Sequence, residues 1–150
     1  MKPIMPEFNN AVLYIQRLLL PDGFDLTADE TQVDTLDKVY HHYTEEGRIL
    51  VWSGGSDMTI YQDAKVNHAF RAWHDYLHVT IQATFTKAGE ANVCTKHNRQ
   101  IDLYLSHLYN AATRQRMKRL MDIEINQQVA ELYRTGSFVQ DQYQFTLERF

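Results

Sequence analysis

At 150 residues, with 44% hydrophobic and 23% charged side chains, the chain has the size and composition of one globular domain rather than of a disordered segment. A formal net charge of −4 argues against a general electrostatic nucleic-acid binder. The single cysteine, Cys94, excludes a disulfide framework within the chain and fits a reducing, cytoplasmic setting.

Met1 to Pro6 has no long apolar run. Ala11 to Leu20 is interrupted by Gln16 and Arg17 and is only about half the length that spans a bilayer, so neither a signal peptide nor a membrane helix is expected. A first helix is predicted over residues 7–20, stopped by Pro21-Asp22-Gly23. Thr27-Ala28-Asp29-Glu30 has the form of a capping box and predicts a second helix to Glu46, ended by Gly47. Its apolar face is Val33, Leu36, Val39, Tyr40 and Tyr43. The β-branched runs 48–52 and 58–61, separated by Ser53-Gly54-Gly55-Ser56, predict a small β-hairpin near residues 48–61. Three long helical patterns follow, over roughly 63–84, 88–109 and 112–134, and a short helix is expected within 140–150. Short connections between the long helices predict a mostly α fold, an antiparallel up-down-up helical bundle in a single domain.

The chemistry gathers on these three helices. At 100° per residue, Val66, Phe70, Trp73, Leu77 and Ile81 form one stripe of the first, with Asn67, Arg71, His74 and His78 beside it. Histidines four apart present both imidazoles on one face, as bidentate metal ligation requires. Glu90 and His97 fall within the apolar stripe of the second helix, and Glu124 and Gln128 within that of the third. A carboxylate there is costly unless paired, protonated or bound to a cation. Counting levels about a turn centred on residue 86 puts His74, His78, His97 and Glu124 at one height, with Glu90 about 10 Å further along. The expected site is one divalent metal, zinc or iron, held by His74, His78 and Glu124 with His97 or Glu90 completing the shell. Asp75 would orient a ligand or act as base, and Arg71 would hold an anionic substrate group.

Competing patterns fit less well. His74-Asp75-x-x-His78 differs from the zinc-protease motif by Asp for Glu and lacks its downstream extension. Phosphohydrolases of the HD superfamily need an upstream His, and His41 and His42 both point away from the apolar face of their helix. A di-iron bundle needs Glu-x-x-His on two helices, which is absent here. A DinB-like three-histidine site is compatible with His74, His78 and His97. Cys94 reads as a small core residue. Glu90 could instead serve the dipole of its helix, and the basic residues Arg114, Arg116, Lys118 and Arg119 a solvated face.

Phe70-Arg71-Ala72-Trp73-His74-Asp75-Tyr76-Leu77-His78, Phe85, Gly89-Glu90, Glu124-x-x-x-Gln128 and Gly136-Ser137-Phe138-x-x-Asp141-Gln142 resemble a group of short tailed-bacteriophage proteins. The resemblance spans residues 66–145 and implies an infected bacterial cytoplasm or a virion as the setting, without a mechanism. Two functions are expected from this reading. One is a metal-dependent hydrolase or oxidase. The other is a non-catalytic protein docking on a host or virion partner, with the His/Glu set as a structural polar network.

Overall fold

The computed structural model describes residues 1–150. Pro6 occupies the first turn of helix α1 (Pro6–Leu19), where its missing N–H is no loss. Phe8, Ala11, Val12 and Ile15 recur at helical spacing and are buried along one side. The chain then enters a short strand, β1 (Asp25–Thr27), which pairs in parallel with β2 (Leu50–Trp52) in the register Asp25↔Leu50 to Thr27↔Trp52.

This pairing overturns two expectations. The hairpin of residues 48–61 does not form, because β2 finds its partner upstream. Ile60 and Tyr61 are buried in the core, and the Met58 and Ile60 carbonyls accept from Tyr143 and Ile4 instead of from a neighbouring strand. The capping box at Thr27 is not realised either. Thr27 is in β1, and its Oγ1 accepts from the Asp29 amide two residues on, a local turn that competes with helix initiation. A 3₁₀ turn (Glu30–Gln32) follows, and α2 (Leu36–Glu46) starts only after Thr35, whose hydroxyl caps the Lys38 amide.

The next three helices are each opened by a side-chain cap. Asp63 caps α3 (Ala64–Ile81), Thr86 caps α4 (Lys87–Leu105) and Asn110 caps α5 (Ala111–Asp122). A π turn, Ile123–Gln127, joins α5 to α6 (Gln128–Thr135), and Asp141 caps the short α7 (Gln142–Leu147). The fold is therefore mostly helical with one two-stranded parallel sheet. No helix is long and apolar enough to cross a membrane.

Helix α3 is central. It packs against α1 and α4 on one side, where Phe70, Trp73 and Leu77 join the main core with Ile15, Ile101, Met117 and Met121. Its other side, through Ala72 and Val79, meets a smaller cluster of Val39 from α2, Val51 from β2 and Ile49 just before it. With apolar partners on both flanks, polar residues of α3 lie in the interior or at its margin. Asn67 and His78 are buried, and His74 and Asp75 are partly buried. Helix α4 in turn packs against α5, the π turn and α6.

Candidate metal centre

His74 and His78 stand one turn apart on α3, and the geometry fixes how each ring faces. Helix α3 ends at Gln82, a residue in the left-handed region (φ 54°), which turns the chain back so that the Ala83 carbonyl lies 2.7 Å from His78 Nδ1. A carbonyl oxygen only accepts, so His78 Nδ1 carries the hydrogen and its Nε2 presents a lone pair to the site. That Nε2 is 3.1 Å from His74 Nε2.

Glu90 arrives from the first turn of α4. Its predecessor, Gly89, permits the approach, since a Cβ there would lie 1.9 Å from the Thr84 carbonyl oxygen. Glu90 Oε2 sits 2.9 Å from His74 Nε2 and 3.2 Å from His78 Nε2. The expected 10 Å offset for Glu90 is therefore corrected. Helix α3 ends at residue 81 and α4 begins at 87, so the turn centres on residue 84 and brings 90 level with 78.

Three donor atoms thus form a triangle with edges of 2.9, 3.1 and 3.2 Å. Donors about 2.1 Å from one ion are spaced roughly 3.0 Å apart on an octahedral face and roughly 3.4 Å apart in a tetrahedron. His74, His78 and Glu90 therefore lie close enough together to hold a metal ion.

His97, fully buried on α4, stands behind this triangle. Its Nε2 is 3.0 Å from His74 Nδ1, on the side of the His74 ring away from Glu90, and its own Nδ1 has no partner. Phe70 stacks on it and Trp73 meets it edge-on, with ring centroids 5.6 and 4.2 Å away. Trp73 Nε1 donates to Gln100 Oε1, which holds the indole in place. Both histidines of the triangle thus have their outer nitrogen engaged, one by a backbone carbonyl and one by a second imidazole. This is how ligating histidines are oriented in metal proteins.

The electrostatics follow from burial and from Glu90. Burial alone depresses the His74 imidazole, but the charge and hydrogen bond of Glu90 outweigh it and raise its pKa. Burial opposes ionisation of Glu90 too, yet the two histidines hold its carboxyl well below the usual carboxylate range. Burial, with the charges of His74 and His78, holds His97 well below the ordinary histidine value, so it is a neutral acceptor for His74 Nδ1–H.

The other residues expected at the site are arranged around it. Glu124 lies in the π turn and shares with His74 and Glu90 the wall of a cavity of about 290 Å³. Gln128 Nε2 donates to Glu124 Oε1 at 2.9 Å, and burial pushes the Glu124 carboxyl up to about 8 despite that bond. Asp75 opens onto an adjoining cleft shared with Trp52 and Arg71, and burial raises its carboxyl to about 6 against the attraction of His74 and His78. Arg71 donates to the carbonyls of Trp52, Gly54 and Gly55 and lies over the Trp52 ring, which ties the 52–55 loop to α3. Cys94 is buried in the main core, where burial pushes its thiol up to about 12.

Sequence reasoning missed the Ala83 carbonyl, which has no residue signature, and the π turn, which reads as ordinary helix. Gly89, a glycine in the first turn of a helix beside a candidate ligand, was a usable signal. The basic residues of α5 are absorbed by the fold. Arg114 and Lys118 pair with Asp102, and Arg116 and Arg119 lie over the Phe150 ring. The chain matches no protein-family model, no curated protein and no solved structure.

Proposed function

We propose that this protein binds one divalent transition metal, zinc or iron, through His74 Nε2, His78 Nε2 and the Glu90 carboxylate. The reading rests on one observation: three ligand-type atoms from two helices spaced as on one coordination face, with both imidazoles oriented from behind. Three protein ligands leave coordination positions open, the condition for a catalytic rather than a structural ion. The open side has the cavity beside it, which suits a metal-dependent hydrolase or oxidase. In the bacteriophage setting that the sequence resemblance implies, such an enzyme would act in the host cytoplasm. His97 serves as the partner that fixes the His74 tautomer, and Glu124 faces the cavity as an uncharged acid at neutral pH.

A second reading has an observation of its own. Glu90 is within hydrogen-bond distance of both imidazoles, so with hydrogens on the nitrogens that face it the set also closes as a structural polar network.

Calorimetric titration of the chelated protein with Zn²⁺ and Fe²⁺ separates the two. The metal reading expects one ion per chain, uptake abolished in a His74→Ala/His78→Ala double variant, and His97→Phe binding about 10–100-fold more weakly. No stoichiometric uptake by a folded wild-type chain decides for the structural network.

A further inference from the structure

The cavity beside His74 and Glu90 has a composition that selects by charge. Its wall includes Phe70, Ile125, Val129, Leu132, Phe138 and Val139. Its two basic side chains are both engaged within the protein, Arg71 by three backbone carbonyls and the Trp52 ring and His74 by Glu90. Glu90 is turned to the histidines, and the Glu124 carboxyl is bonded by the Gln128 amide. The groups left to meet a guest are the amides of Gln128 and Gln142 and the carboxyl of Glu124. An anion would meet no free positive charge there apart from a bound ion. A cation would find one carboxyl, already bonded by Gln128, on an otherwise apolar wall, and neither would keep its hydration.

We propose that this cavity takes an uncharged small molecule with an apolar body and one amide-like or hydroxyl group, hydrogen-bonded by Glu124, Gln128 or Gln142. At about 290 Å³ the space equals that of roughly ten waters, the scale of a single-ring compound. That the guest is a substrate rests on the metal reading above; that the cavity prefers uncharged guests does not.

The test uses benzamide, benzoate and benzylammonium, three probes of nearly one size with different charge, titrated into the chelated protein. The side-chain amides of Gln128 and Gln142 are followed in ¹H–¹⁵N spectra. Benzamide should shift both with a Kd on the order of millimolar, as a ligand of this size allows. The two charged probes should bind at least about tenfold more weakly, a gap of about 1.4 kcal/mol. Val129→Trp fills the cavity and should remove the benzamide shifts. Should that variant not fold, Gln128→Ala should weaken benzamide severalfold at Gln142. Charged probes that bind as well as benzamide, or benzamide that moves neither amide, overturn the proposal. A repeat after a zinc titration keeps the two readings apart. Benzamide binding without zinc uptake removes the metal and leaves the cavity's preference standing. Zinc uptake without benzamide binding does the reverse.

Discussion

Glu124 is a carboxyl group desolvated by burial on a largely apolar wall, with a side-chain amide as its hydrogen-bond partner, and its protonation follows from that position. Its pKa stands near 8 in the folded chain against an ordinary 4.5. Below the ordinary value both folded and unfolded chains hold the proton, and the group confers no pH dependence. Between 4.5 and 8 the unfolded chain releases it while the folded chain keeps it, so stability falls as pH rises, by up to about 1.4 kcal/mol per unit. Above 8 the contribution levels off. Glu124→Gln removes the titration and retains an amide for Gln128. In chelator, urea unfolding at pH 5, 6.5 and 8 should show the variant gaining on the wild type as pH rises. A gap that is the same at all three would mean that Glu124 is ionised in the folded chain. The sequence had already marked this residue as anomalous, a carboxylate on an apolar stripe. Its role as the neighbour rather than the nearest acid of the histidine pair depends on half a turn of register, which spacing alone does not resolve.

At the scale of elements, the start of α4 decides the site. Gly89 meets the Thr84 backbone, which cannot swing aside as a side chain would. Gly89→Ala should force the first turn of α4 away from the end of α3 and carry Glu90 with it. We expect about 1–3 kcal/mol of destabilisation from the overpacking, and zinc binding weakened at least about tenfold. Gly136→Ala is the control. Its φ of 78° is strained for alanine, but nothing lies within 4 Å of the added Cβ, so stability should drop by about 1 kcal/mol and zinc affinity stay put. Equal affinity loss in both variants would show that the effect is global loosening. Helix existence was legible from periodicity in all the long segments, because each buries an apolar stripe. Their ends were less so. The α3–α4 turn lies two residues earlier than symmetry about residue 86 suggested, since Gln82 leaves the helix in a left-handed conformation that no residue type there announces. The π turn is equally silent. Its side chains Asn126 and Gln127 bond back to Asp122, a pattern compatible with plain helix until the extra residue is counted.

For the whole molecule, the parallel β1–β2 pair and the central α3 are one fact seen twice. Strand β2 and α2 cover the flank of α3 opposite α1 and α4, and that double covering is what takes His78 to zero exposure. Strand β1, three residues long with an exposed Leu26 at its centre, carries too little pattern to be found in advance. The candidate ligands His74, His78 and Glu90 join two helices of the main core, so an ion bound there should stabilise the entire domain rather than a loop. At a free zinc concentration of 100 times Kd, ligation to the folded state alone contributes about 2.7 kcal/mol. In a domain of 150 residues that corresponds to a Tm higher by about 5–10 °C. Thermal melts with zinc and with chelator should show this rise in the wild type and in Glu124→Gln, whose carboxyl lies outside the donor triangle. They should show none in the His74→Ala/His78→Ala variant. A rise that survives loss of both histidines would place the ion elsewhere in the fold. A wild type whose Tm ignores zinc would leave the His–Glu set as a hydrogen-bonded brace between α3 and α4.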